Sequence, residues 1–154
     1  MYYTIRNLLM FFKKFTDVPF TEEVKSGNMQ GLLKDGKQER EYVDYHVNGQ
    51  LWYKGKFNND VQVGEWTGYH PNGQLWYKGK YKNGKQEGEW FIYHDNGHLR
   101  KRGKYKNGKQ EGEWVLYWSN GKISQIGKYK DSKMVGLWFG YKEDGTLETK
   151  SRMD

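Results

Sequence analysis

The chain has 154 residues, room for one domain, with 35% hydrophobic, 18% aromatic and 29% charged residues and a formal net charge of +7. That aromatic content excludes a disordered chain, and the small apolar fraction argues against a two-layer globule with a thick core. Large amphipathic rings suit instead a thin sheet with two partly wetted faces.

There is no cysteine, which removes disulfides, thiol nucleophiles and zinc knuckles and fits a reducing, cytoplasmic setting. The basic balance favours acidic partners or serves solubility alone.

At the N-terminus, Leu8 to Phe12 form an apolar run bounded by Arg6 and by Lys13-Lys14. It is far shorter than the roughly 20 residues a membrane span needs, and no small-residue cleavage site follows it. Ile5, Leu8, Leu9, Phe12 and Phe15 fall at helical spacing, so residues 4–16 are expected to form a short amphipathic helix. Such a helix would cap an open repeat array or, alternatively, lie on a membrane surface. Residues 1–30 are assigned to this helix and its linker, 31–150 to a repeat array, and 151–154 to a tail.

The array announces itself by landmarks 24 residues apart. Turn dipeptides stand at Asn48-Gly49, Asn72-Gly73, Asn96-Gly97, Asn120-Gly121 and Asp144-Gly145, each preceded by a tyrosine at 45, 69, 93, 117 and 141. Glu65-Trp66, Glu89-Trp90 and Glu113-Trp114 keep the same phase, with Leu137-Trp138 and Glu41-Tyr42 as altered copies. A period in this range signals a stack of supersecondary units.

Asn-Gly between β-rich segments predicts a two-residue type I′ hairpin, since both turn residues then need positive φ. That loop makes Trp90 face Gly103 and Glu89 face Lys104. The same register sets Trp66 against Gly79, Glu65 against Lys80, Trp114 against Gly127, Glu113 against Lys128, Tyr42 against Gly55 and Glu41 against Lys56. An aromatic ring laid over a cross-strand glycine covers bare backbone, and opposite charges face each other across the strands. A three-residue loop would move every pair by one. A second turn, Asn83-Gly84 or Asn107-Gly108, with Asn59-Asp60 and Asp131-Ser132 elsewhere, links each hairpin to the next.

Strict alternation then assigns the faces. Trp90, Ile92, Leu99, Gly103 and Tyr105, with Trp66, Leu75, Tyr77 and Tyr81, are expected on a core face. Tyr45, Trp52, Lys54, Tyr69, Trp76, Lys78, Lys80, Tyr93, Arg100, Arg102, Lys104 and Tyr117 are expected together on a wet, basic, aromatic face, the candidate binding surface. The fold expected is all-β: a single-layer, elongated antiparallel meander of stacked hairpins with a short N-terminal helix.

The stretch Tyr77-Lys78-Gly79-Lys80-Tyr81-Lys82-Asn83-Gly84-Lys85-Gln86-Glu87-Gly88-Glu89-Trp90, with Tyr93 and Asn96-Gly97 after it, resembles the MORN repeat, most closely its bacterial variant. The resemblance covers about residues 31–150. It implies a twisted single-layer sheet and a non-enzymatic binding or scaffolding role, in bacterial variants an antitoxin-like or immunity-like one. Arg40 and Tyr42, Leu137, and the first 30 residues depart from the pattern.

Chemistry finds no foothold. His46, His70 and His94 occupy one repeat position, filled by Trp118 in the next unit. Equivalent residues of stacked hairpins lie roughly 10 Å apart, too far to share a metal whose ligands stand at about 2 Å, so these histidines are expected to serve the turn. Glu65, Glu89 and Glu113, paired and solvated, lack the raised pKa that general-acid work needs. No catalytic residue, cofactor or metal is expected. The expected partner is a protein, bound through Tyr, Trp and Arg anchors. The alternative is a polyanion, either single-stranded nucleic acid or anionic phospholipid, bound by lysine columns and stacking rings. Sheet edges and an uncovered core face allow self-association.

Overall fold

The computed structural model describes residues 22–26, 29–33 and 40–154, with side chains from residue 41 onward. The helix expected over 4–16 lies outside the described residues. Twelve strands form one sheet in strict sequence order, each antiparallel to its neighbour. They are β1 Glu22–Ser26, β2 Met29–Leu33, β3 Arg40–Tyr45, β4 Leu51–Asn58, β5 Val61–Tyr69 and β6 Leu75–Lys82. The series continues with β7 Lys85–Tyr93, β8 Leu99–Lys106, β9 Lys109–Tyr117, β10 Ile123–Lys130, β11 Lys133–Tyr141 and β12 Leu147–Met153. Among the described residues the sheet reaches back to Glu22, upstream of residue 31, and β12 takes in residues 151–153 of the segment assigned to a tail. The meander expected from the repeat is the fold.

The expected pairs are present: Trp66↔Gly79, Glu65↔Lys80, Trp90↔Gly103, Glu89↔Lys104, Trp114↔Gly127, Glu113↔Lys128, Tyr42↔Gly55 and Glu41↔Lys56. The turn that produces them differs from expectation. Gly97 N–H donates to His94 O at 3.0 Å, His94 N–H donates to His98 O at 2.8 Å, and of Asn96 and Gly97 only the glycine has positive φ, 83°. This is a three-residue loop closed by a glycine bulge. It does move the register by one, so Tyr93 faces Leu99; Arg100 then stands in β8 without a partner, and Ile92 faces Lys101. Two opposite one-residue shifts cancel. Trp52, Trp76, Ser124 and Glu148 are the extra residues of the other hairpins. True two-residue turns with both residues at positive φ occur at the other end of the strands, at Asn59-Asp60, Asn83-Gly84, Asn107-Gly108 and Asp131-Ser132.

A single layer has no second sheet to form a core against, so the rings of one face must cover one another. Trp66, Trp90, Trp114 and Trp138 are each no more than 4% exposed. They alternate with tyrosines in an edge-to-face series: Trp66 to Tyr81 at 6.0 Å, Tyr81 to Trp90 at 5.2 Å, Trp90 to Tyr105 at 5.8 Å, Tyr105 to Trp114 at 5.2 Å, Trp114 to Tyr129 at 6.0 Å and Tyr129 to Trp138 at 5.1 Å. Such pairs contribute about 0.5–1.5 kcal/mol each beyond the area they bury.

The indoles also settle where the glycines are needed. Trp90 is paired with Gly103 in the ladder, yet its ring lies over Gly79 of the preceding hairpin, where a Cβ would overlap indole atoms. Trp66 covers Gly55, Trp114 covers Gly103 and Trp138 covers Gly127 in the same way. Each indole N–H donates to the carbonyl of the residue after that glycine, at Lys56, Lys80, Lys104 and Lys128, over 3.2–3.3 Å. The ring therefore clamps its own repeat to the one before, rather than closing its own hairpin.

The turns add a second clamp. The Nε2 atoms of His46, His70 and His94 meet the carbonyls of Tyr69, Tyr93 and Tyr117 at 2.8, 3.1 and 3.2 Å. A carbonyl only accepts, so the proton sits on Nε2; Trp118, whose indole can only donate, makes the same bond to Tyr141 O at 2.9 Å. The asparagines 48, 72, 96 and 120 accept from the backbone two residues on and donate across to the next turn. Asp144, in the last hairpin, keeps only the accepting half.

Two outcomes follow. Gly79→Ala is expected to cost about 3 kcal/mol or more through overpacking against the indole, but under about 1 kcal/mol in a Trp90→Ala background, a coupling that denaturant titration of the double-mutant cycle measures. Asn96→Asp keeps its own turn but loses the donor to Ser119 O, for an expected loss of about 1 kcal/mol in the same assay.

Candidate functional site

The bulges decide which side chains share a face. In a bulge the extra residue and its neighbour point to the same side, and Trp52 stacks on Tyr53 at 4.4 Å. Trp76 contacts Tyr53 at 6.4 Å and Tyr77 at 5.3 Å, while Tyr77 stacks on Trp90 at 5.7 Å. Trp52, Trp76 and Arg100 thus belong to the tryptophan face, not to the basic face where alternation put them. Leu75 and Leu99 go the other way, because they pair with Tyr69 and Tyr93. Strict period-two reading fails across one unmatched residue.

The remaining expected residues do share a face. Lys54, Thr67, Lys78, Phe91, Arg102 and Val115 form one cross-strand row. Lys78 Nζ lies 5.0 Å over the Phe91 ring and Arg102 Nε donates to Tyr117 Oη at 3.0 Å. Tyr45, Tyr69, Tyr93 and Tyr117 form the adjoining row, opposite Leu51, Leu75, Leu99 and Ile123. Lys80 and Lys104 are hemmed in by acids: Lys80 pairs with Glu65 and Glu87, Lys104 with Glu89 and Glu111. The ion pairs that close are exposed, Lys56–Glu41 at 3.7 Å and Lys80–Glu65 at 3.6 Å. Lys56 and Lys80 are therefore partly neutralised by carboxylates within the same face, whereas Lys54, Lys78 and Arg102 stand among Thr67, Phe91 and Val115.

The tryptophan face holds the more differentiated surface. Beside the aromatic spine runs a row in register, Asp44, Tyr53, Gly68, Tyr77, Ile92, Lys101, Leu116 and Gln125. Gly68 is needed there because the Tyr77 ring occupies the place of its Cβ. Row and spine together wall an open concavity of about 620 Å³, whose lining includes Tyr53, Trp76, Tyr77, Ile92, Arg100 and Lys101. Burial pushes the Tyr77, Tyr81 and Tyr105 hydroxyls up from the ordinary tyrosine range, and burial followed by the charge of Asp44 does the same at Tyr53. Lys101 is pulled down, first by burial and then by Arg100 beside it.

Tyr53, Tyr77, Ile92 and Lys101 were not among the expected site residues. The signal was present in the sequence: aligned at the 24-residue period, the pair is Trp52-Tyr53 and Trp76-Tyr77 in two repeats but Arg100-Lys101 and then Ser124-Gln125 in the next two, while the Asn-Gly before it and the Gly-Lys after it recur unchanged. The histidines fill turn positions as expected. Among the described residues no cluster of three or more His, Asp or Glu is placed to hold a metal ion, and no helix is long and apolar enough to cross a membrane.

Comparison with known families agrees with this geometry. The MORN repeat variant matches at residues 62–83, 86–107 and 110–131. The chain is a MORN-repeat protein. Repeats of this family generally serve as binding modules. No curated protein sequence matches the chain. Among solved structures it is similar to a chain of a GtfA/B complex bound to UDP and GlcNAc, with 13% identity and a TM-score of 0.29. That match takes in 92% of this chain and only 26% of the other.

The half-buried tyrosines of this MORN sheet carry a pH prediction. Their folded pKa values lie above the unfolded value of about 10, so the stability they contribute is complete below that pH and is lost as pH climbs towards the folded values. Melting temperature is expected to fall above pH 10, and Tyr77→Phe to flatten that fall.

Proposed function

We propose that this protein is a non-catalytic cytoplasmic module that holds a protein partner in the concavity of its tryptophan face. One observation carries the reading: a wide open trough floored by rings, with polar groups only at chosen points, Gln62, Gln86, Arg100 and Lys101. Rings and an arginine around a partly desolvated depression are the usual anchors of a protein interface. The groups that a single-layer sheet would otherwise bury under a second layer are here left for a partner to cover. An antitoxin-like or immunity-like role, implied by the resemblance to bacterial variants, requires of the module only that it hold its partner. The polyanion reading has less support: of the cations it relied on, Lys80 and Lys104 each stand between two glutamates in register and Arg100 lies on the tryptophan face, which leaves it the row of Lys54, Lys78 and Arg102.

Affinity capture from the source cells tests the reading, with Trp76→Ser as the discriminating variant, since serine is the residue at the same bulge in β10 (Ser124). The expected result is a protein retained by the wild type, lost by at least tenfold with Trp76→Ser, and declining only modestly with salt. Recovery of nucleic acid with a steep salt dependence, or capture insensitive to Trp76→Ser but abolished by Tyr69→Ala with Tyr93→Ala, would contradict it.

A further inference from the structure

Arg100 and Lys101 are adjacent in sequence and, through the β8 bulge, adjacent in space on the same face, both lining the concavity. In register Lys101 stands between Ile92 and Leu116, two apolar residues, and its ammonium lies 5.9 Å over the Trp114 ring. Among the described residues neither cation has a carboxylate within ion-pair distance. The equivalent pairs in the other hairpins are Trp-Tyr, Trp-Tyr, Ser-Gln and Glu-Thr, so the sheet itself requires no positive charge at this place. Two like charges, one half-desolvated, oppose folding unless an anion meets them. Their place at one end of an aromatic trough supplies what that anion would be attached to.

We propose that Arg100 and Lys101 form a carboxylate-recognition subsite, which receives an acidic side chain of an extended, aromatic-bearing peptide segment of the partner laid along the concavity. This rests on the protein-binding reading above. The charge pattern selects the ligand. Cations occur at the β8 end only, and Asp44 stands beside Tyr53 in β3 at the other. The five strand spacings between them span about 24 Å, and the rings of Tyr53, Trp76 and Tyr77 lie between. A nucleic acid strand carries phosphates along its whole length and would meet Asp44 and a run of uncharged rings. A peptide with one acidic end and apolar or aromatic side chains after it matches every part of the trough. The guanidinium fork takes a carboxylate through two parallel bonds, while the lysine adds a point charge from the aromatic floor.

The full-length protein can be titrated against fluorescein-labelled glutamate–tyrosine random copolymer, with polyglutamate, an oligothymidylate and inorganic phosphate as comparison probes. Arg100→Ser with Lys101→Gln copies Ser124-Gln125, a pair the same bulge accommodates in β10, so an unchanged or raised melting temperature certifies the fold. Lys130→Gln with Lys133→Gln removes the same charge from a turn outside the trough. The expected result is copolymer binding tighter than to polyglutamate or oligothymidylate, weakened at least tenfold by the Arg100/Lys101 variant and unchanged by the turn variant. Equal loss in both variants would reduce the effect to net charge and overturn the subsite. So would oligothymidylate bound as tightly with the same dependence, or phosphate displacing the copolymer as effectively as free glutamate. If the Arg100/Lys101 variant binds normally while Trp76→Ser does not, the subsite falls and the protein-binding trough stands. If neither change matters, both readings fall together.

Discussion

The contact on which this sheet depends is an indole laid across the backbone of the preceding hairpin. A single-layer sheet cannot bury side chains between two layers, so each tryptophan must find its apolar surroundings within one face. It does so by reaching over a glycine that leaves the backbone bare, with its N–H on the next carbonyl, as Trp90 does at Gly79 and Lys80 O. Any side chain at that glycine would lift the ring and break both contacts at once. The tyrosines then close the ring edges, and a spine only one residue wide reaches the burial of an ordinary core.

Because the indole points backward, the stabilising unit is the junction between repeats rather than the hairpin. The turn side chains act in the same direction, His94 to Tyr117 O and Asn96 to Ser119 O. This gives the array a nearest-neighbour energetics in which each unit is held by the contacts it makes with the units beside it. It also frees certain positions. A residue that covers no glycine and bonds no carbonyl of a neighbouring repeat, such as those at the β-bulges, can change without loss of the fold, and these are the positions that vary from Trp76 to Arg100 to Ser124.

The period, the antiparallel meander and the ladder partners were legible because landmarks at a fixed interval leave little choice of register. The turn type was not. Asn-Gly suits a two-residue loop by local rule, yet here the asparagine uses its amide to bridge to the next turn and its oxygen to hold a wider loop. The extra residue Arg100 then cancels the shift, so the pairs beyond it look as they would without either irregularity. What the cancellation hides is the flip of face: Leu99 moves to the tyrosine side, while Arg100 and Trp76 join the tryptophans. The direction of the indoles was also hidden, since a ladder partner in register and a glycine one repeat earlier look alike in a periodic sequence. The residues expected together on one aromatic and cationic surface are divided between two faces by bulges that leave no mark on composition.

The proposed function rests on what the junctions leave unused. Rings that clamp repeats together are fixed by the fold; rings and cations at the bulges are not, and they converge on the trough. The backward reach of the tryptophans sets the faces and the trough beside the aromatic spine. Proton NMR reads that reach directly. It should show nuclear Overhauser contacts from the Trp90 indole protons to the Gly79 α-protons, with those α-protons shifted strongly upfield by the ring current. Contacts from Trp90 to Gly103 alone, with Gly79 at ordinary shifts, would contradict it.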